Sequence, residues 1–115
     1  MPRALLVSFL VLLFCRGDVL AQTWPSKPIR AIIPFAAGSA TDVIPRVVFE
    51  PLSARFGQPI VVENRGGAGT TIGAALVAKA EADGYTLLAT SSAHTLVPTV
   101  YPSAPYDTAA DFAAA

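Results

Sequence analysis

Between Pro28 and Thr90 the chain repeats one pattern: an apolar run, a loop of small residues, then apolar residues at helical spacing. Pro28 to Pro34 reads as a buried strand between prolines, and Phe35 to Ala40, with Gly38, as a small-residue loop. From Thr41 the period changes, and Ile44, Val47, Val48, Leu52 and Phe56 fall on one helical face. Thr41 is the expected N-cap, Asp42 suits the first turn, and Gly57 ends the run. Pro59 to Glu63 is then a second strand, Asn64 to Thr71 a glycine-rich loop, and Ile72, Ala75, Leu76 and Ala80 one face of a second helix. Asp83-Gly84 turns the chain into a third strand, Tyr85 to Thr90. This order predicts an α/β fold: a βαβαβ parallel sheet with right-handed crossovers. Ile32-Ile33, Ile60-Val61-Val62 and Leu87-Leu88 do not alternate with polar residues, so the strands call for cover on both faces. Two prolines interrupt the first helix. Pro45 is expected in its first turn; Pro51, mid-helix, removes a backbone bond to Val47 at a cost of about 3 kcal/mol and predicts a bend there.

After the third strand the pattern dissolves. Ser91 to Thr95 reads as a polar loop with His94 on the surface, and Leu96 to Tyr101 as a short turn or a helical start broken by Pro98. Pro102, Pro105, Tyr106-Asp107 and Asp111-Phe112 follow, with no pattern of a domain end.

The start of the chain speaks to location. Arg3 precedes an apolar run, Ala4 to Phe14, and Val19-Leu20-Ala21 has the small residues of a peptidase site. Residues 1–21 are expected to be a signal peptide cleaved after Ala21, leaving a soluble periplasmic segment, 22–115. The run is short of the ~20 residues of a membrane span, and bulky Phe14 before Cys15 argues against lipoprotein processing. Of eight basic and eight acidic residues, Arg3, Arg16 and Asp18 lie in the signal, which leaves six and seven. No basic field remains to attract nucleic acid. Cys15, the sole cysteine, also lies in the signal, so the mature segment forms no disulfide.

The chemistry points to the two small-residue loops. Each joins the C-terminal end of a strand to the N-terminus of a helix, the edge where open α/β sheets bind ligands. Backbone N–H groups and the positive end of the helix dipole suit an anion there, and small residues let it approach closely. A plain turn uses small residues too, and Asp42 reads equally as a pocket residue or as an acid complementing the dipole. Enzyme readings fare worse. Gly67-Ala68-Gly69-Thr70-Thr71-Ile72-Gly73 does not have the dinucleotide spacing and follows the second strand; no P-loop or nucleophile elbow occurs. No catalytic residue, metal ligand set or cofactor is expected.

Six segments in order resemble the Bug-type solute-binding proteins of the tripartite tricarboxylate transporter family. Trp24-Pro25-Ser26-Lys27-Pro28-Ile29-Arg30 is similar to their mature start, Pro34-Phe35-Ala36-Ala37-Gly38-Ser39-Ala40-Thr41-Asp42 to their first loop, and Gly57 to Arg65 to their second strand. Gly67-Ala68-Gly69 with Ile72-Gly73 resembles the second loop, Ala82 to Leu88 the start of the third strand, and Pro105-Tyr106-Asp107 with Asp111-Phe112 falls in the family's order. The resemblance implies part of the first lobe of a Venus-flytrap receptor. Such a receptor catches small carboxylates (dicarboxylates, tricarboxylates, acidic amino acids or aromatic acids) and presents them to membrane transporter subunits. It implies a ligand site on Phe35, Ala36, Gly38, Ser39 and Asp42 of the first loop and Gly67, Ala68, Gly69 and Thr70 of the second, with Ser91 and His94 after the third strand. Ser39 and Thr70 stand where the family commonly has glycine, so either would be strained at a positive φ. Family members are longer, so the chain is expected to cover only the beginning of the first lobe. A truncated remnant with no function is the alternative, and a dinucleotide-binding enzyme a weaker one.

Overall fold

The computed structural model describes Ala21 and residues 23–115; the signal peptide lies almost wholly outside them. Three strands, β1 (Ile29–Ile33), β2 (Ile60–Asn64) and β3 (Thr86–Leu88), form one parallel sheet in the order β2-β1-β3. Helix α1 (Ala40–Phe56) joins β1 to β2, a 3₁₀ turn (Ala68–Thr70) and helix α2 (Thr71–Ala78) join β2 to β3, and helix α3 (Ala93–Val100) follows. The expected βαβαβ sheet is present.

The centre of the sheet is its driest part. Ile29, Ala31, Ile32 and Ile33 of β1 have no exposed surface. Both neighbours contribute: Ile29 lies opposite Ile60 and Ile33 opposite Asn64 on one side, and Arg30 opposite Thr86 and Ile32 opposite Leu88 on the other. Because β2 and β3 flank β1, connections of like hand running in opposite directions place α1 and α2 over opposite faces. Helix α1 packs on β2, where the Ser53 hydroxyl accepts the Ile60 N–H at 3.1 Å; α2 packs on β3 and β1. The outer strand β2 is covered less, with Val61 half exposed. Beside it the guanidinium of Arg30 grips Glu63 through Nε (2.5 Å) and Nη2 (2.9 Å). That grip, with Arg65 assisting, holds the Glu63 carboxyl down to about 2.

Both helices turn a different face inward than their spacing predicts. In α1, Ile44 and Val47 remain 66% and 67% exposed and Val48 half exposed, while Leu52 and Phe56 are partly covered as expected. The inner side is instead led by buried Asp42. In α2 the buried positions are Thr71, Gly73 and Ala74, with Ile72 half exposed, and Ala80 lies beyond the helix end. Apolar residues circle both helices, so spacing alone does not select the packed face; the polar anchor at Asp42 and the lack of a side chain at Gly73 do. A β-carbon on Gly73 would sit 2.7 Å from the Arg65 carbonyl oxygen and 2.8 Å from Pro34 Cβ.

The element limits differ in physically readable ways. Helix α1 begins at Ala40, so Ser39 rather than Thr41 is its N-cap, and Pro45 lies past the first turn. The helix continues through Pro45 and Pro51 as one element and ends at Gly57 with φ 65°, the left-handed cap its glycine predicts. Likewise Pro98 lies within α3 rather than ending it. Strand β3 is three residues long rather than six. At the sheet's opposite edge, Trp24 meets Phe56 edge-on at 5.4 Å and Tyr85 at 6.1 Å, which ties the segment before β1 to the end of α1 and the start of β3.

Candidate functional site

The parallel sheet delivers three connections to one edge, the C-terminal ends of its strands. They touch there. Gly66, which opens the second loop, lies against the first loop's backbone: a β-carbon on it would be 3.6 Å from the Phe35 carbonyl carbon. Arg65 N–H donates to the Ile33 carbonyl (2.9 Å), and Ala89 N–H to the Ile32 carbonyl (2.9 Å), so both outer strands stay paired to β1 up to the loops.

The first loop is held by side chains. Asp42, only 3% exposed, accepts the Gly38 N–H (2.8 Å), Arg46 Nε (2.9 Å) and Asn64 Nδ2 (2.8 Å). Asn64 also donates to the Phe35 carbonyl (3.1 Å) and accepts from Arg46 Nη2 (2.9 Å). A buried carboxylate needs such partners, and they lower its pKa: Asn64 contributes most, then the Gly38 amide, then Arg46. Asp42 therefore faces the sheet's end and fastens the loop to β2. Of the two sequence readings of this acid, the geometry accounts for an anchoring role directly. Ser39 has an ordinary φ of −70° and no strain. Its hydroxyl donates to the Ala36 carbonyl (2.8 Å) within the loop and meets Thr41 Oγ1 (3.0 Å) in the first turn of α1. Gly38, at φ 82°, supplies the one positive φ of this loop.

The second loop is held by its backbone. Gly67, Ala68, Gly69 and Thr70 all have positive φ (125°, 45°, 60° and 80°). Glycine adopts this freely; Ala68 and especially β-branched Thr70 do not. The strain expected at Thr70 is thus present, and that expected at Ser39 is not. Thr70 is buried with its hydroxyl unpartnered, while Thr71 Oγ1 donates to the Ala68 carbonyl (2.8 Å). Among the described residues, the N–H groups of Gly67, Ala68 and Gly69 find no bonding partner, and these residues are exposed. Ala36, Ala37 and Gly38 of the first loop are exposed beside them.

The third connection is α3 and its approach. Ser91 Oγ accepts the Ala93 N–H (3.3 Å) and its carbonyl the His94 N–H (3.0 Å), so Ser91, one residue before the N-cap Ser92, ties down the first turn of α3. His94 is not a free surface residue. Its ring stacks on Tyr106 at 6.2 Å and meets Phe112 edge-on at 4.8 Å, and burial lowers its pKa. At the far end of α3, the Tyr101 ring lies over Gly69 so closely that a β-carbon there would fall 2.3 Å from it. Helix α3 is thereby packed onto the second loop.

Of the residues singled out from sequence, Phe35, Ala36, Gly38 and Ser39 and Gly67 to Thr70 thus come together at one edge; Asp42 lies beneath it, and Ser91 and His94 belong to the third connection. Arg46 and Tyr101 are not among the site residues the sequence singles out, and Asn64 enters there simply as the first residue of the glycine-rich loop. Arg46 stands four residues after Asp42, a spacing that signals an ion pair on a helix; nothing in the sequence pairs Tyr101 with Gly69. Among the described residues no group of three or more acids, histidines or cysteines gathers as a metal site, and no helix is long and apolar enough to cross a membrane.

Comparison with known proteins matches residues 44–114 to the family described as the tripartite tricarboxylate transporter family receptor. The chain is 48% identical over 92 residues to the protein BugT of Bordetella pertussis, covering 78% of this chain and 28% of that protein. Among solved structures it resembles the periplasmic binding protein BugD (38% identity, TM-score 0.74, 77% of this chain and 30% of that one). It also resembles MatC from Rhodopseudomonas palustris with bound malate (33% identity, TM-score 0.70, 77% and 31%). The chain therefore spans about a third or less of the length of these proteins.

Proposed function

The chain belongs to the receptor family of the tripartite tricarboxylate transporters, and we propose that its two glycine loops hold the carboxylate of a small organic acid. One observation carries the reading: two exposed loops lie side by side at helix N-termini, the second with the amides of Gly67, Ala68 and Gly69 unpartnered among the described residues, and the Asp42–Asn64 anchor fastens the first loop to the strand that leads into the second. Fixed dipoles oriented in advance bind an anion without reorganisation. MatC, which binds malate, lends support from the family. Dicarboxylates, tricarboxylates, acidic amino acids and aromatic acids are the candidate ligands. Delivery to membrane transporter subunits in the periplasm, after signal cleavage following Ala21, completes the proposal.

Binding rather than catalysis is the better fit. The Ser39 and Ser91 hydroxyls are engaged within their own loops, and His94 is enclosed by Tyr106 and Phe112. Asp42, in its turn, is held by three donors. None of these forms a nucleophile–base pair. Calorimetric titration of the chain at neutral pH with succinate, glutamate and benzoate, each against its neutral amide, tests the reading. Saturable binding of at least one acid, lost in its amide, is expected; equal binding of acid and amide, or none of either, refutes it. Saturable binding of NADH would favour the enzyme alternative instead.

A further inference from the structure

The second loop runs through consecutive positive-φ residues, and its hydrogen bonds are local. Thr70 N–H donates to the Gly67 carbonyl (3.1 Å) and Thr71 Oγ1 to the Ala68 carbonyl (2.8 Å). Such a conformation at Ala68 and Thr70 persists only where the surroundings over-determine it. Asp42 and Asn64 fasten the first loop to β2; in the second, packing takes that part. A side chain lies on each of its glycines. A β-carbon on Gly67 would meet Ile72 Cδ1 at 2.7 Å, and one on Gly69 would meet Cζ and the phenol oxygen of Tyr101 at 2.6 Å. Ile72 belongs to the helix that the loop leads into, so it moves with the loop. Tyr101 comes from the end of α3 and ties the loop to a separate element. Its own backbone is fixed at both groups: the N–H donates to the Val97 carbonyl (2.7 Å), and the carbonyl accepts the Ala104 N–H (3.0 Å). Val97 is in turn the buried residue of α3, at 2% exposed.

We propose that Tyr101 is a positioning residue for the carboxylate site: its ring covers Gly69 and keeps the strained loop in the conformation that leaves the Gly67, Ala68 and Gly69 amides free for an anion. The proposal rests on the carboxylate reading above. Without the ring, Ala68 and Thr70 relax toward negative φ and the amides disperse. An acid must then re-order them as it binds, and that cost is taken from its affinity. The same contact explains why Gly69 is a glycine. A side chain there would displace the ring, and the φ of 60° suits glycine best.

The test compares the full chain with Tyr101→Phe, Tyr101→Leu and Tyr101→Ala, by amide order parameters without ligand and by calorimetric titration with succinate. In the unaltered chain and in Tyr101→Phe, Gly67–Thr70 are expected to be as rigid as the strands, with order parameters of about 0.85. In Tyr101→Ala they should fall below about 0.6, with Gly38 and β1 unchanged. Succinate should then bind about tenfold more weakly, the scale of re-ordering one residue's backbone. Bound succinate should restore the loop's order, a response that a general loss of packing would not give. Tyr101→Leu keeps an apolar side chain at the end of α3 but does not span Gly69, so it should give the same result even where the alanine variant unfolds. A rigid loop or an unchanged affinity in Tyr101→Leu overturns the positioning role and leaves the carboxylate reading standing. Weaker binding by Tyr101→Phe with a rigid loop identifies the hydroxyl as a ligand contact and also overturns it. If the unaltered chain binds no succinate while loop order still follows the ring, the carboxylate reading has failed and the ring serves folding alone.

Discussion

The two loops occupy equivalent places in the repeated unit and are kept in shape by opposite means. In the first, one glycine turns the chain and side chains do the rest: Asp42 reaches back to Gly38, and Asn64 clasps both Asp42 and the Phe35 carbonyl. In the second, four consecutive residues adopt positive φ, and the side-chain help is one bond from Thr71 to the Ala68 carbonyl. A loop held by side chains stores its order in polar bonds, which mutation or acid removes. A loop held by backbone conformation stores it in residue choice, and two of its four residues are poor choices for the conformation.

That contrast can be broken by experiment. The largest effect is expected from Asn64→Leu, which removes the clasp: stability should fall by about 2 kcal/mol, with faster hydrogen exchange at Gly38 and little change at Gly69. Equal loosening of both loops would mean they are one unit. Acid should act on the same loop. Asp42 has a pKa lowered from its ordinary 3.8, so its contribution is whole above that value and is lost as pH falls through the lower folded value. The Gly38 amide shift should titrate there, below pH 3.8, while the Gly67–Gly69 amides stay flat; a Gly38 transition above that pH would place Asp42 outside its network. Next, Thr70→Gly should raise stability by about 1 kcal/mol in denaturant unfolding, by relieving the φ of 80° and removing an unpartnered hydroxyl. A loss would show that Thr70's packing outweighs its strain. The smallest effect is expected for Ser39→Gly. Ser39 makes no side-chain cap bond and has an ordinary φ, so a change within a few tenths of a kcal/mol is predicted, and a larger one would mean its bonds to Ala36 and Thr41 matter more than their exposure suggests.

The same contrast explains what could be read from the sequence. Strand order and loop positions were legible because Ile32-Ile33, Ile60-Val61-Val62 and Leu87-Leu88 are unbroken apolar runs separated by glycine loops. The second loop's conformation was legible in Gly67 and Gly69, and its strain in Thr70. Which face of α1 packs was not, because Val43, Ile44, Val47 and Val48 form an apolar surface that the sheet leaves uncovered. The partner of Asp42 could not be read either: Asn64 lies 22 residues away and meets it only because β1 and β2 pair in the register that sets Ile33 beside Asn64. His94, read as a surface residue, is enclosed by Tyr106 and Phe112, twelve and eighteen residues later in a stretch with no periodicity to predict the contact.

The most direct test of the central claim is to follow the backbone amide shifts of the full chain during titration with succinate at neutral pH, with succinamide as the control. The account predicts saturable shifts confined to the amides of Ala36–Gly38 and Gly67–Gly69, moving together with one affinity and absent with succinamide. Saturable shifts elsewhere on the sheet with these six amides still, or identical responses to acid and amide, would contradict it.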